Sequence, residues 1–272
     1  MDVAEREWRL IREETWDGPM NMALDEVAAR TAAAGGPRTV RLYRWGPSTL
    51  SLGYNQDPET VAWEWCAENG VTVTRRPTGG GGIYHDYTGD ISYSIIGPAE
   101  EFPSKLLDCY HLLCEPVLDA FHAMGVDADY VEGEVEEIYH PACYLRALHP
   151  AHDMVAGERR RKIAGNAQYR QREAVIQHGS LSYALTPDRH LACFDGHDVT
   201  PERFRERVTA MVEEADVSRP EAVRTVEDAL ANWSDAVVGE WTDDELALAR
   251  ELAEEKYASE AWTRDGEDPT TE

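Results

Sequence analysis

At 272 residues the chain has room for one large domain or two modest ones, with ample core. Its 52 acidic side chains outnumber 26 basic ones, a formal charge of −26, and only Lys105, Lys162 and Lys256 are lysines. That balance argues against a nucleic-acid partner, since phosphate binding rests on basic patches, and resembles the surfaces of proteins from salt-loving organisms.

Five cysteines, Cys66, Cys109, Cys114, Cys143 and Cys193, form no C-x-x-C pair, and no secretory signal is read before them. Reduced thiols in a cytoplasm are expected. No apolar run approaches the ~20 residues of a membrane span, so no membrane partner is expected.

Along the chain, "EWRLIREETW" has strand character, and "MNMALDEVAARTAAA" carries apolar residues at helical spacing. Asn21, Asp25 and Glu26 fall near the start of that helix, where negative charge suits the dipole. "RTVRLYRWGPSTLSLGYNQ" reads as two strands around Gly46-Pro47, and "DPETVAWEWCAENG" as a helix from Asp57-Pro58 to Gly70. "VTVTRR" is a short strand entering a glycine run, and "DISYSII" leaves it as another. A helix from about Ser104 to Met124 is expected to bend or break at Pro116. "GVDADYVEG" looks like a strand, followed by an irregular acidic loop to about Leu148. "DMVAGERRRKIAGNAQYRQREAVIQHGSLSY" then reads as a three-stranded antiparallel meander. The region from Thr200 is helical, interrupted near Arg219-Pro220, and the last helix opens at a Thr cap with an acidic first turn. The expected division is a catalytic domain over 1–215, a helical extension over 216–264 packed on it, and a disordered tail over 265–272. The class is α/β (α+β), with a mixed, largely antiparallel sheet and flanking helices.

Two stretches carry chemistry. In "RRPTGGGGIYHDYTGD" four glycines, Gly79 to Gly82, lie between Arg75-Arg76 and Tyr84-His85-Asp86. Each glycine costs roughly 0.5–1 kcal/mol in a regular element, so bare backbone must serve a purpose, such as close approach of a ligand. No Lys-Ser/Thr follows, which excludes a Walker loop, and the run does not open a dinucleotide-binding helix. In "KIAGNAQYRQREAVIQHGSL", Lys162 stands before Ala164-Gly165 on an expected strand, where a lysine can place positive charge on a developing oxyanion. His178 sits beside Gly179 in the same stretch.

Together, "RRPTGGGGIYHD…GDISYSI" and "KIAGNAQ…QHGSL" resemble the lipoate–protein ligase and octanoyltransferase families, and "MNMALDE", "RLYRWGPSTLSLGYNQ" and "AEEKYASEAW" extend the resemblance over nearly the whole chain. It implies the fold shared with biotin–protein ligases and related to class II aminoacyl-tRNA synthetases. It also implies a glycine loop, Gly79 to Gly82 with Arg76, wrapped around an acyl group and its activated head. Lys162 would lie at the reacting carbonyl, and His178, Gly165 and Asn166 would lie in the same pocket as Tyr84, His85 and Asp86. Tyr43, Leu52, Tyr54 and Ala164 would supply apolar walls. No metal site in the protein is expected. The implied partners are lipoyl domains of 2-oxo acid dehydrogenase E2 proteins or glycine cleavage H protein.

Two activities fit the resemblance. Ligases make lipoyl-AMP from lipoate with ATP and Mg²⁺, and their loop reads like "TGGGAVYHD-x-GD". One class of octanoyltransferases carries the acyl group on a cysteine, taking octanoate from acyl carrier protein without a cofactor. Cys143 in "PACYLRALHP" stands where those transferases place their nucleophile, yet they carry a bulkier basic residue where this chain has Gly81. A salt-loving archaeon need not hold a fatty-acid carrier protein, so the expectation is an ATP-dependent lipoate–protein ligase, with or without a separate accessory chain. The octanoyltransferase is the alternative. A non-catalytic lipoate- or biotin-binding module is the distant third, disfavoured because it would not need Lys162.

Overall fold

The structure, a computed structural model, describes residues 7–271. In chain order its first elements are β1 (Trp8–Trp16), α1 (Gly18–Ala33), β2 (Arg38–Trp45), β3 (Thr49–Leu52), α2 (Trp63–Glu68) and β4 (Thr72–Arg75). There follow β5 (Ile83–His85), β6 (Asp90–Pro98), α3 (Leu106–Ala123), β7 (Ala128–Tyr130), β8 (Asp153–Ala156), β9 (Arg161–Arg170) and β10 (Ala174–Ser182). The remainder is α4 (Pro187–Ala192), α5 (Pro201–Arg207), α6 (Met211–Glu214), α7 (Arg219–Ser234), β11 (Val237–Val238) and α8 (Asp243–Leu252).

Eight strands form one sheet in the order β11-β1-β2-β6-β10-β9-β8-β7. β1 runs parallel to both β11 and β2, and the other pairings are antiparallel. The class is therefore the expected one, a mixed and largely antiparallel α/β fold. Every residue of β6 is buried, because helices cover both faces of the sheet centre. On one face Val40, Leu42, Tyr93 and Ile95 pack with Leu113, Val117 and Phe121 of α3 and Val226 and Leu230 of α7. On the other, α1 and α8 pack with Ile11, Tyr43 and Ile96.

The two strands around Gly46-Pro47 part company: β2 stays in the main sheet, while β3 joins a small sheet between β4, parallel, and β5, antiparallel. Residues 76–82 connect β4 to β5. The expected helix from Asp57 is a 3₁₀ turn, Pro58–Thr60, followed by α2. Helix α3 runs through Pro116 without a break. Burial of Leu113, Pro116, Val117, Ala120 and Phe121 on the core side compensates for the lost backbone bond. Helix α1 begins earlier than the sequence suggests, at an Asp17 cap that accepts from the Met20 amide. Asp25 thus lies inside the helix, bonded to Arg41 at 3.0 Å rather than serving the dipole. Beyond residue 215, β11 adds to the edge at β1, α8 packs on α1, and Asp268 contacts Lys256 at 2.7 Å. No helix among the described residues is long and apolar enough to cross a membrane.

Candidate active site

A cavity of about 590 Å³ opens between the two sheets and the segment that precedes β8. Strands β2, β3, β5 and β6 wall its buried end with Tyr43, Trp45, Ser51, His85 and Ser92, and β10 adds His178. Its exposed end is formed by Glu134, Glu137, His140, Ala147 and His149.

Arg76 organises the buried end. Its Nε donates to Thr78 Oγ1 (3.0 Å), Nη1 to the Ser51 carbonyl (2.8 Å), and Nη2 to the carbonyls of Gly79 (2.9 Å) and Gly81 (2.7 Å). The guanidinium is thus a fastener of the glycine loop. Burial lowers its pKa to about 10, where it remains charged at neutral pH. Two histidines hang from the hydroxyls it holds. Thr78 Oγ1 is 2.8 Å from His178 Nε2, and His178 Nδ1 lies 3.5 Å from Asp25. Ser51 Oγ is 2.9 Å from His85 Nε2, and His85 Nδ1 lies 3.2 Å from Asp90. Burial, partly offset by Asp90, lowers the His85 pKa. Neighbouring Arg75 points the other way, into carbonyls of Gly53, Tyr54, Gln56, Trp262 and Thr263.

The glycines divide by what lies above them. A Cβ on Gly79 would meet nothing within 4 Å, and Gly80 has φ +95, the left-handed region. A Cβ on Gly81 would come within 2.5 Å of the Pro141 carbonyl oxygen and 2.9 Å of the Cys143 amide nitrogen. Gly82 exchanges backbone hydrogen bonds with the same segment, from its amide to Pro141 O (2.7 Å) and from the Cys143 amide to its carbonyl (2.9 Å). Half of the run therefore faces the cavity, and half allows the Cys143 segment to lie against it.

At the middle of the cavity Lys162, buried, bonds Asp153 at 2.7 Å and the Cys143 carbonyl at 3.1 Å. Burial alone would favour neutral lysine, but Asp153 and then Cys143 outweigh it and the Lys162 pKa is raised. Burial opposes the Asp153 carboxylate too, yet Lys162 and His152 hold its pKa well below the usual carboxylate range. Gly165 leaves the space beside the Cys143 thiol and the Lys162 ammonium open: a Cβ there would lie 3.5 Å from Lys162 Nζ and 3.6 Å from Cys143 Sγ. Cys143 is half-buried at the start of a 3₁₀ turn, Cys143–Leu145, while the other four cysteines are buried.

Of the residues expected at the site, Arg76, Gly79, Gly80, His85, Cys143, Lys162, Gly165, Asn166 and His178 line this cavity, as does Tyr43. Tyr84 and Asp86 do not. Alternation along β5 turns Tyr84 to the far side, where its hydroxyl meets Arg189 (2.7 Å), and Asp86 caps the turn at Thr88 and Gly89. Leu52 and Ala164 belong to the cores, and Tyr54 is 44% exposed elsewhere. Sequence reasoning missed Asp153, which sits in "HPAHDM" with no spacing that announces a lysine partner, and it read Asp25 only as a dipole residue.

Residues 17–232 match the model of the lipoyl protein ligase A/B catalytic domain. The chain belongs to this family. Octanoyltransferase LipM of Bacillus subtilis is 31% identical over 94% of this chain and 97% of its own length. Octanoyltransferase LipM of Geobacillus kaustophilus is 31% identical over 96% and 99%. Among solved structures, the bipartite lipoate protein ligase of Thermoplasma acidophilum superposes with a TM-score of 0.79 at 25% identity, over 95% of this chain and 96% of that one. A lipoate-protein ligase A bound with ATP gives 0.78 at 27%, over 95% and 98%. The fold is that of the ligases. The expectation of an ATP-dependent ligase is nonetheless corrected, because curated relatives matching nearly end to end are octanoyltransferases. The bare Gly81, expected to mark a ligase, lies where a side chain would collide with the Pro141 carbonyl.

Proposed function

We propose that this protein is a cysteine-dependent octanoyltransferase that moves an octanoyl group from acyl carrier protein to a lysine of a lipoyl domain, in a 2-oxo acid dehydrogenase E2 protein or glycine cleavage H protein. The observation that carries the reading is the placement of Cys143 Sγ and Lys162 Nζ over the open face of Gly165. A cysteine sulfur is the attacking atom in such a transfer, and the Lys162 ammonium lies on the same side of Gly165 as Cys143 Sγ. In the first half-reaction the sulfur attacks the donor thioester, a new C–S bond forms, and the carrier leaves as its thiol. In the second, the lysine amine attacks the Cys143 thioester, the amide forms, and the cysteine is regenerated. Lys162 has three N–H groups, two of them engaged by Asp153 and Cys143 O, so one remains for the oxyanion of each tetrahedral intermediate. The donor thioester supplies the driving force, and the scheme uses no ATP.

The test is intact mass spectrometry after mixing the protein with octanoyl-carrier protein alone. The expected result is one octanoyl adduct, discharged by hydroxylamine, and none in Cys143→Ser. A Cys143→Ser enzyme that still modifies lipoyl domains at the wild-type rate would overturn the reading.

A further inference from the structure

Transfer to a lysine requires a base. The acceptor arrives as an ε-ammonium, whose ordinary pKa near 10.4 leaves almost none of it nucleophilic at neutral pH. Lys162 and Asp153 pair with each other at 2.7 Å, each favouring the charged form of the other, so neither offers a free base. His178 and His85 each have both nitrogens facing a partner, a hydroxyl on one side and a carboxylate on the other. His149 accepts from the Ala151 amide at Nδ1 (3.1 Å), which leaves its proton on Nε2 and no lone pair to offer.

His152 differs. It lines the cavity, its side chain is 33% exposed, and its Nδ1 is buried 3.6 Å from Asp153 Oδ2 without a closer partner among the described residues. A carboxylate at that nitrogen favours the Nδ1–H tautomer and leaves the Nε2 lone pair free. The ring is held between His149, stacked at 5.3 Å and 11°, and Tyr110 at 5.4 Å. Its backbone is fixed as well, since the His152 carbonyl accepts from Asn166 Nδ2 at 2.9 Å. Asp153 thus touches both Lys162 and His152, joining the oxyanion cation to a potential base through one carboxylate. His140 also has a carboxylate neighbour, Glu137, but that pair is mostly exposed and nothing fixes it against Lys162.

We propose that His152 is the general base of the second half-reaction, oriented by Asp153; the assignment rests on the Cys143 acyl-enzyme reading above. The acceptor ammonium gives one proton to Nε2 and becomes the amine that attacks the thioester carbonyl. As the C–N bond forms and the C–S bond breaks, the second nitrogen proton leaves with the Cys143 sulfur. The imidazolium then releases its proton to solvent, and the enzyme returns to its starting state.

The experiment separates the two half-reactions. His152→Gln is loaded with octanoyl-carrier protein, and discharge of the adduct is followed by intact mass spectrometry with a lipoyl domain or with hydroxylamine, whose amine is neutral and needs no base. Loading and hydroxylamine discharge should stay within about threefold of wild type, while discharge to the lipoyl domain slows about 100-fold or more. Added imidazole should restore part of the rate in His152→Ala. Wild-type discharge to the lipoyl domain in His152→Gln would overturn the assignment. So would equal slowing toward lipoyl domain and hydroxylamine without imidazole rescue, or the same defect appearing in His140→Gln instead. Absence of any adduct on the wild type would sink the acyl-enzyme reading itself, a distinct failure.

Discussion

The two ends of the cavity are built on opposite principles. At the buried end each polar group of the Arg76 system is engaged: the guanidinium holds two hydroxyls and the loop carbonyls, each hydroxyl meets a histidine, and each histidine faces an aspartate. Nearer the exposed end the polar groups are incompletely engaged. Lys162 keeps one N–H, His152 keeps the lone pair of its Nε2, and the Arg146 guanidinium lines the cavity with no hydrogen bond or ion pair to the described residues. A saturated polar network fixes shape, because every group that moved would lose a partner in a low-dielectric interior. Donors left free around a nucleophile can instead meet charge that develops only during reaction. Under the proposed transfer, the groups left free around Cys143 would serve bond-making and the saturated end would hold the cavity's shape.

The largest expected effect comes from the seam of the second end. Lys162→Ala should lower acylation of Cys143 by about 100-fold or more, the usual cost of losing one oxyanion stabiliser. It also strands the buried Asp153 carboxylate, and breaking one side of a buried pair costs about 3–5 kcal/mol. Lys162→Met combined with Asp153→Leu removes both charges, so it should melt closer to wild type and remain inactive. Recovery of activity along with stability would mean that the pair serves the fold alone.

A smaller effect should separate two glycines that look alike in sequence. Gly81→Ala forces a methyl to within 2.5 Å of the Pro141 oxygen, so the Cys143 segment must shift, and a misplacement of about 1 Å can cost about 100-fold in rate. Gly79→Ala meets open space, so its free protein should melt like wild type and any loss should appear in KM for the acyl donor. Acylation kinetics and melting curves on both variants check this. Equal behaviour of the two would erase the division of the loop into a ligand-facing and a backbone-facing half.

What the sequence disclosed follows from how local each feature is. Glycine runs, caps and the β8–β10 meander are written in neighbouring residues, so the loop, the Thr242 cap and the strands around Lys162 were legible. Asp153 with Lys162, and Asp25 with Arg41 and His178, are pairings between elements, and no spacing rule reaches across a sheet. Alternation on a strand as short as β5 could have placed Ile83 and His85 opposite Tyr84, had its register been known. The acidic composition, used as a guide to the acyl donor, speaks to solvent conditions rather than to chemistry.

The smallest effect lies behind the Cys143 segment, where His190 packs against the rings of Tyr144, Phe194 and Phe204 with its Nε2 buried and unpartnered. Burial first, and then the nearby His85 and His197, push its pKa from 6.5 down to about 3. The folded protein therefore holds this imidazole neutral, while the unfolded chain takes up a proton below about pH 6.5. Folding stability from this site is lost as pH falls from 6.5 toward 3, at up to about 1.4 kcal/mol per pH unit. His190→Phe keeps the aromatic packing and removes the titration. Carboxylates held low by their partners, such as Asp153 and Glu245, contribute acid sensitivity to both proteins and cancel in the comparison. Melting temperatures between pH 7 and pH 4 should thus fall less steeply in His190→Phe than in the wild type, with little difference in transfer activity at neutral pH. Parallel curves would show that His190 finds a proton-accepting environment in the fold, and that the wall behind Cys143 is wetter than its packing implies.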